Sequence, residues 1–353
     1  MRYLATDSPK KISKIGLGTS QFGSAAWGYG RDYARKEAPA IVHRALQLGV
    51  TLFDTAEIYG FEPWFLVRRA LLKGVAFSDT ARIRGFGHGE RILGTALGAL
   101  GENRDSAFIA TKFYPIAPAA QAVEQRAVAS AERLGTRQLD LYQVHYPGGV
   151  VRDQPIMRGL RALQSVGVVG EVGVSNCTLD RWQNAERALG GRVLSNQVRY
   201  SLADRSAELE LLPFAEANGR IIIAYSPLAQ GLLSGRYHNG HQPANRMRAA
   251  TPLFLPENLE RSRRLIEVLR EVAAIHGATP AQIALAWVIH PPAVAAIPGA
   301  ASVRQLEDNV AAAEISLADD EYKALATAAD EFQPVGGPIA GLPDRIRARV
   351  SRR

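Results

Sequence analysis

A short apolar or β-branched run followed by a stretch of helical character recurs eight times along the chain. Repeated strand-then-helix units are typical of a parallel sheet whose faces are covered by helices. Eight such units favour closure of the sheet into an α/β fold, the (β/α)8 or TIM barrel. The predicted strands are Ile15–Thr19, Leu52–Ala56, Phe108–Lys112, Leu141–His145, Val172–Asn176, Leu194–Val198, Ile221–Ser226 and Val294–Gly299.

The stretches between these runs carry helix signals. Ala119–Leu134 and Asn258–His276 place apolar residues at helical spacing. Thr279 and Pro280 form the pattern of a helix cap and a first-turn proline ahead of Ala281–His290. We therefore predict helices between most of the strands.

Three segments fall outside this alternation. Residues 2–12 precede the first strand and are expected to form a hairpin under the barrel. Residues 61–85 interrupt the second strand-to-helix loop, and residues 334–353 are rich in Gly, Pro and Arg. We predict one domain over residues 1–333, which carries the insertion, and an irregular C-terminal arm over residues 334–353.

Composition and charge narrow the function classes. The formal net charge is +8, of which residues 61–85 supply +3 and residues 334–353 supply +4, so no basic stripe typical of nucleic-acid binding is present. The first residues lack the apolar core of a signal peptide, and no apolar run is long enough to span a bilayer. Cys177 is the only cysteine. We expect a cytoplasmic protein with a small-molecule substrate, no nucleic-acid or membrane partner and no metal site.

Polar residues that can transfer protons stand at the ends of three predicted strands. Asp54, Lys112 and His145 end or nearly end the second, third and fourth runs, and Tyr59 follows Asp54 by five residues. In a closed parallel barrel these strand ends point to the one face where barrel enzymes keep their chemistry. An acid, a phenol, an amine and an imidazole would meet there.

These four groups fit the reduction of a carbonyl. We expect Lys112, held by Asp54, to lower the pKa of Tyr59 so that the phenol can protonate a carbonyl oxygen. His145 would donate a second hydrogen bond to that oxygen. Because no side chain can supply a hydride, a cofactor must do so. We expect Lys112→Met to abolish reduction without disturbing the fold.

The chain resembles the aldo-keto reductases from Ile15 to about Asn309. The resemblance rests on an ordered series of motifs: Ile-Gly-Leu-Gly-Thr at 15–19, Phe-Asp-Thr-Ala-Glu-Ile-Tyr-Gly at 53–60, Gly-Glu-Arg-Ile-Leu-Gly at 89–94, Ala-Thr-Lys at 110–112, Asp-Leu-Tyr-Gln-Val-His at 140–145, Gly-Val-Ser-Asn at 173–176, Asn-Gln-Val-Arg-Tyr-Ser-Leu at 196–202, Tyr-Ser-Pro-Leu-Ala-Gln-Gly-Leu-Leu-Ser-Gly-Arg at 225–236 and Ile-Pro-Gly-Ala at 297–300. The seventh loop resembles the long-loop branch that includes prokaryotic enzymes and channel-associated subunits.

This resemblance implies a barrel that binds NADP(H) across its C-terminal face, with Tyr59 as proton donor, Asp54 and Lys112 as its activators and His145 orienting the carbonyl. The residues that it assigns to the cofactor are Gly18, Thr19 and Gln21 near the first strand, Asp54 in the second, Ser175, Asn176 and Gln197 at the carboxamide, Tyr225 stacked on the nicotinamide, Ser226, Pro227, Leu228, Gly231, Arg236 and Arg246 around the pyrophosphate, and Gly299, Arg304, Gln305, Asp308 and Asn309 at the adenosine end.

The cofactor preference depends on the 2′-phosphate. Arg236 and Arg304 could bind it, which favours NADP(H) over NAD(H). Gly299 and Ala300 stand where the mammalian-type pocket of the family has Lys and Ser, which weakens that preference.

The substrate side is less determined. Trp27 and Tyr29 fall in the first loop and are expected, with His145, to line the substrate pocket. The insertion at 61–85 begins two residues after Tyr59. It is either an extruded loop or a lid, and it could also displace Tyr59.

The sequence thus predicts an NADP(H)-dependent aldo-keto reductase. A sugar-type alcohol dehydrogenase would run the same chemistry in reverse. Two alternatives from other classes stay open: a slow cofactor-binding regulatory or sensor subunit, and a cofactor-free isomerase on the same barrel.

Overall fold

Eight parallel strands form a single sheet in which each strand pairs with its neighbour in the sequence. The computed structural model describes residues 1–24, 29, 31–60, 86–115, 119–147, 153–241, 243, 248 and 251–335. The strands are β1 Leu17–Gly18, β2 Leu52–Asp54, β3 Phe108–Phe113, β4 Leu139–Val144, β5 Val169–Ser175, β6 Ser195–Arg199, β7 Ile221–Tyr225 and β8 Val294–Ala296.

The first strand also meets the last. Parallel bridges join Ile15 to Ala296 and Gly18 to Gly299. A Cβ atom on Gly18 would lie 2.6 Å from the carbonyl oxygen of Ile297, so this close approach requires glycine. The predicted (β/α)8 arrangement is confirmed, and all strand C-termini open on one face.

Helices follow most strands, as predicted. They are α1 Arg31–Gln47, α2 His88–Gly98, α3 Ala120–Leu134, α4 Asp153–Ser165, α5 Leu179–Leu189, α6 Leu211–Ala217, α7 Pro256–Arg261, α8 Arg263–Ile275, α9 Pro280–Val288, α10 Val303–Ala311 and α11 Asp319–Glu331. Thr279 caps α9 in a reciprocal capping box with Gln282, as the sequence indicated.

The helix predicted over Asn258–His276 is found in two parts, α7 and α8, that meet at Ser262, whose backbone is itself in the right-handed helical region (φ −82°, ψ −2°). The Ser262 hydroxyl contacts Nε2 of His238 at 2.8 Å and donates to the carbonyl of Leu259 at 3.0 Å. Both contacts lie where α7 meets α8, and apolar periodicity does not report them.

The barrel interior is apolar at the end opposite the strand C-termini. Tyr3 and Ser13 form an antiparallel bridge, and the amide of Leu4 donates to the carbonyl of Ile12 at 2.8 Å. The buried side chains of Leu4 and Ile12 pack against residues near the strand starts, such as Leu52. The buried apolar side chains of this segment therefore cover the end of the barrel opposite the strand C-termini. Within the described ranges, every helix is too short or too polar to traverse a bilayer.

Candidate active site

A buried ion pair, together with an amide that donates to it, links three strands at the C-terminal end of the barrel. Lys112 Nζ donates to Asp54 Oδ2 at 2.6 Å and to the carbonyl oxygen of Thr55 at 2.8 Å. Gln197 Nε2 donates to the same Asp54 oxygen at 2.7 Å. The side chains of Lys112 and Asp54 are 0% and 2% exposed. The register of β2, β3 and β6 thus brings two predicted catalytic residues and one predicted cofactor residue together.

Burial opposes the charge on both members of this pair. Desolvation raises the pKa of Asp54 and lowers the pKa of Lys112. The attraction between the two groups acts against both shifts and favours the charged forms. The 2.6 Å contact places the amine of Lys112 against the carboxyl of Asp54 beneath the mouth of the barrel.

Tyr59 lies above this pair, in the turn that follows β2. Lys112 Nζ is 5.0 Å from the centroid of the Tyr59 ring. The pKa of the phenol is raised, first by burial and then by the negative charge of Asp54. The lowered pKa expected from the sequence is not found, because the ammonium of Lys112 donates to Asp54 and to the carbonyl of Thr55 rather than to the phenol. Tyr59 is consequently protonated at neutral pH.

His145 follows β4 and faces Tyr59. The two ring centroids are 6.0 Å apart at an interplanar angle of 84°. Burial, and then the charge of Lys112, lower the pKa of His145 to about 3, so the imidazole is neutral. Its Nδ1 is buried and has no hydrogen-bond partner among the described residues. A neutral imidazole carries one donor and one acceptor nitrogen, which suits it to donate to an uncharged carbonyl oxygen.

Two exposed tyrosines flank His145, and the sequence analysis missed them. Tyr146 stacks on the imidazole with centroids 5.5 Å apart, and Tyr114 lies edge-on at 6.3 Å. Their side chains are 46% and 41% exposed. The signal was present, because each directly follows a strand end that the motifs already marked.

The Tyr59 turn is fixed by a second buried acid that was also missed. Glu57 forms an ion pair with Arg126 of α3 and accepts from the amide of Tyr114 at 2.6 Å. Burial raises the pKa of Glu57, and Arg126 opposes that rise. A glutamate between apolar residues two positions before Tyr59 was a sequence signal for such a partner.

The residues on either side of the insertion contact each other. The amide of Gly87 donates to the carbonyl of Glu57 at 2.5 Å, and the amide of Gly89 donates to that of Tyr59 at 3.0 Å. A Cβ on Gly60 would meet the Cβ of His88 at 3.0 Å. The turn that carries Tyr59 is therefore closed by its own flanks. Residues 61–85 lie outside the described residues.

The residues that the resemblance assigns to the carboxamide and nicotinamide lie together. Ser175 Oγ donates to the carbonyl of Gln197 at 2.8 Å, and Asn176 Nδ2 donates to Ser175 Oγ at 3.0 Å. Tyr225 Oη donates to Asn176 Oδ1 at 2.9 Å. Two amides and a hydroxyl beside a flat aromatic ring match the chemistry of a nicotinamide with its carboxamide.

The loop after β7 has an unusual backbone. Left-handed φ angles occur at Ser226 (52°), Ala229 (47°), Gln230 (57°) and Gly231 (99°). Three of these four residues are not glycine, so the turn is strained. Pro227 and Leu228 lie within it, and the exposed Arg236 begins the next helical turn. Arg246 lies outside the described residues.

Residues predicted to contact the cofactor from the first-strand loop and from the adenosine end surround the end of β8. Gln21 Nε2 donates to the carbonyl of Ala300 at 2.9 Å, and Asn309 Nδ2 donates to that of Gly299 at 3.2 Å. Gln305 Oε1 accepts from the amide of Ala301 at 2.8 Å. Three further predicted residues are placed nearby or at the adjacent strand end: Thr19, which donates to the carbonyl of Asp54 at 2.8 Å, and the exposed Arg304 and Asp308 of α10.

The predicted substrate residues of the first loop are only partly placed. Tyr29 lies against Tyr33 with ring centroids 4.8 Å apart, and the Tyr33 hydroxyl donates to the carbonyl of Ala300 at 2.8 Å. Tyr29 is thus near the β8 end rather than beside the His145 ring. Trp27 lies outside the described residues. Their substrate roles stay predictions.

Comparison with known proteins identifies the family of the chain. The Aldo/keto reductase family matches over residues 14–65 and 62–330. The chain is 48% identical over all 353 residues to an uncharacterized oxidoreductase of Mycobacterium tuberculosis, with both chains fully covered. It is 31% identical over 305 residues to a methylglyoxal reductase of Escherichia coli, covering 86% of this chain and 88% of the relative.

Solved structures of oxidoreductases are also similar to this chain. A glycerol dehydrogenase from Gluconobacter oxydans superposes with a TM-score of 0.78 at 25% identity, covering 95% of this chain and 98% of the other. An aldo-keto reductase from Klebsiella pneumoniae in complex with NADPH gives 0.69 at 26% identity, covering 95% and 96%. Fold, site geometry and the family match agree, and the chain belongs to the aldo-keto reductase family of oxidoreductases.

Proposed function

We propose that this protein reversibly reduces an aldehyde or ketone to an alcohol with NADP(H), with Tyr59 as proton donor. The observation that carries the proposal is the arrangement of a protonated phenol above a buried Asp54–Lys112 pair and opposite a neutral His145. NADP(H), bound by the carboxamide, pyrophosphate and adenosine groups of residues described above, would supply the hydride.

The raised pKa of Tyr59 is compatible with this role. Hydride addition leaves negative charge on the former carbonyl oxygen, and an alkoxide is a much stronger base than a phenolate. Proton transfer from Tyr59 is therefore downhill at that stage even though burial makes the phenol a weak acid. Lys112 has three N–H donors, of which two are used by Asp54 and Thr55. The third would stabilise the phenolate as it forms.

His145 and the aromatic residues around it would orient the substrate. Because burial keeps the imidazole neutral, it would donate a hydrogen bond to the carbonyl oxygen without adding a positive charge. The exposed rings of Tyr114 and Tyr146 would provide an apolar surface beside that oxygen. An aryl or alkyl group of the substrate would pack against these rings.

NADP(H) is the cofactor we favour over NAD(H). Arg236 and Arg304 are exposed on the loops that follow β7 and β8, where a 2′-phosphate would find guanidinium donors. The Klebsiella pneumoniae relatives contain NADP or NADPH.

The experiment that tests the proposal is turnover of 4-nitrobenzaldehyde, followed by NADPH absorbance, in the wild type and in Tyr59→Phe. We expect the variant to lose roughly 100- to 10,000-fold in kcat, since one positioned proton donor contributes about that much. NADPH binding, measured by fluorescence with NADH in parallel, should be unchanged.

A matched control is Tyr142→Phe. The Tyr142 hydroxyl is buried and has no hydrogen-bond partner among the described residues, so its removal should leave turnover intact. Binding of NADPH without turnover in the wild type would instead support a regulatory or sensor subunit. Absence of NADPH binding would contradict both functions.

A further inference from the structure

Arg199 is a basic residue at the rim of the site to which neither the family resemblance nor the proposed mechanism assigns a role. It ends β6 and is in register with Tyr225, which ends β7. Gln197, two residues earlier, points into the barrel and donates to Asp54. Side chains alternate along a strand, so Arg199 points to the same side as Gln197, one level nearer the mouth. Its side chain is exposed.

The contacts of Arg199 leave its charge available. Its Cζ lies over the Tyr225 ring, 5.9 Å from the centroid, within the range of a cation–π contact. No carboxylate among the described residues forms an ion pair with Arg199. The next acid along the chain, Asp204, accepts from the Ser206 hydroxyl at 2.7 Å. By contrast, the ammonium of Lys112 is paired with Asp54.

Arg199 and the proton donor share one opening. The hydroxyl of Tyr225 is held by Asn176, whose amide also reaches the carbonyl of His145 at 3.4 Å. Negative charge on Tyr225 would raise the pKa of Tyr59, so the two rings are electrostatically close. A substrate whose carbonyl lies between Tyr59 and His145 therefore has a guanidinium within the same cleft.

We propose that Arg199 selects carbonyl substrates that carry a carboxylate, by donating two parallel N–H bonds to it at the rim of the barrel. Guanidinium and carboxylate match in this bidentate geometry, and such charge-assisted pairs are stronger than neutral hydrogen bonds. The inference rests on the proposed carbonyl reduction and adds the class of substrate.

The phosphates of the cofactor are the other anions that could reach this face. The basic residues suited to them, Arg236 and Arg304, follow β7 and β8, whereas Arg199 ends β6 next to the carboxamide residue Gln197. This separation favours the substrate as the anion that Arg199 binds. Cofactor kinetics in the experiment below distinguish the two sources.

The test compares kcat/KM for 2- and 4-carboxybenzaldehyde with kcat/KM for 2- and 4-nitrobenzaldehyde. The wild type, Arg199→Gln, Arg199→Lys and the control Arg158→Gln are each measured with saturating NADPH. Arg158 is exposed on α4, away from the mouth. We expect Arg199→Gln to lose roughly 10- to 100-fold for at least one carboxylated aldehyde, as expected for a lost charge-assisted hydrogen bond. Nitrobenzaldehyde turnover should change less than about threefold.

The remaining outcomes are decisive in both directions. Partial recovery in Arg199→Lys together with unchanged kinetics in Arg158→Gln supports the proposal. A raised KM for NADPH with an unchanged ratio of carboxy to nitro substrates would assign Arg199 to the cofactor and overturn it. An equal loss on both substrate classes would reduce Arg199 to support for Tyr225. Absence of any nitrobenzaldehyde turnover in the wild type would sink the proposed function itself.

Discussion

The phenol of Tyr59 holds its proton more tightly than a free tyrosine, although a lysine lies beneath its ring. The sequence predicted the opposite shift, because motif order places a phenol, an amine and an acid together but does not say which pair forms hydrogen bonds. In the structure the ammonium of Lys112 donates to Asp54, and the charge of Asp54 raises the pKa of the Tyr59 phenol. Under the proposed mechanism, Lys112 would therefore stabilise the Tyr59 phenolate as it forms and would not acidify the phenol beforehand.

Lys112 was expected at the sequence level to lie outside the core, and that expectation was wrong. Its side chain is fully buried and paired with Asp54. Removal of one partner from a buried ion pair typically costs about 3–5 kcal/mol because the other charge is left uncompensated. We therefore predict that Lys112→Met abolishes reduction and also lowers the free energy of unfolding by roughly 3 kcal/mol.

Urea unfolding and NADPH turnover measure the two effects separately. The matched variant is Asp54→Asn combined with Lys112→Met, which removes both charges. It should recover part of the lost stability and none of the activity, since the phenolate would still lack its cation. Wild-type turnover in Lys112→Met would remove this residue from the mechanism.

At the level of elements, the sequence predicted the barrel well and its irregularities poorly. Apolar runs mark strands because both faces of a parallel sheet are buried, and that signal is local. By contrast, the contact of Ser262 where α7 meets α8 is with His238, which lies 24 residues earlier. Likewise, the role of Glu57 depends on Arg126 of α3. The sequence can mark such a residue, as it marks Glu57 between two apolar neighbours, but no local pattern identifies the distant partner.

Arg199 marks a different limit. It stands inside the motif Asn-Gln-Val-Arg-Tyr-Ser-Leu, and strand alternation alone would have placed it beside Gln197. The sequence could not show that no carboxylate in the described part of the chain forms an ion pair with Arg199, because this depends on how the neighbouring strand ends are placed.

The insertion gives the prediction for the element scale. Because Glu57 and Tyr59 bond to Gly87 and Gly89 across its base, the Tyr59 turn does not need residues 61–85 for closure. We predict that replacing residues 61–85 by two glycines preserves the fold and keeps 4-nitrobenzaldehyde turnover within about threefold, since loop length alters closure entropy only slowly. Circular dichroism and NADPH assays check this.

A second variant separates sequence from length. Residues 61–85 are exchanged for a Gly/Ser linker of the same length, which keeps the spacing and removes every side chain. If both variants fail to express as folded protein, the segment is part of the barrel and the prediction is wrong.

At the scale of the whole molecule, closure of the barrel involves a buried lysine at its seam. The carbonyl of Lys14 accepts from the amide of Ala296, and its Nζ donates to the carbonyls of Ile289 and Pro291, both at 2.7 Å. Burial, reinforced by Arg2 and opposed by Glu216, lowers the pKa of Lys14 to about 8.

This shift predicts a pH dependence of stability. The unfolded lysine titrates near pH 10.4, so between about pH 8 and pH 10.4 the unfolded state binds more protons than the folded state. The contribution of Lys14 to the free energy of unfolding should therefore rise with pH across that window, by about 2 kcal/mol, and be flat below it.

The comparison that isolates this group is the wild type against Lys14→Met, unfolded by urea at pH 7, 8, 9 and 10. The difference between the two free energies removes the tyrosines and other lysines that titrate in the same range. A difference that stays constant with pH would show that Lys14 is not buried as a cation.

The closed base of the insertion, between Gly60 and Phe86, has a consequence for protein engineering. A foreign domain whose own termini lie close together could be grafted there without pulling the barrel apart. It would then be attached to the same turn that carries the phenol of Tyr59. A fluorescent or split-protein tag inserted there could thus report the binding of a ligand at the mouth of the barrel. A ligand of the inserted domain could in turn raise or lower the affinity of the barrel for its own ligands.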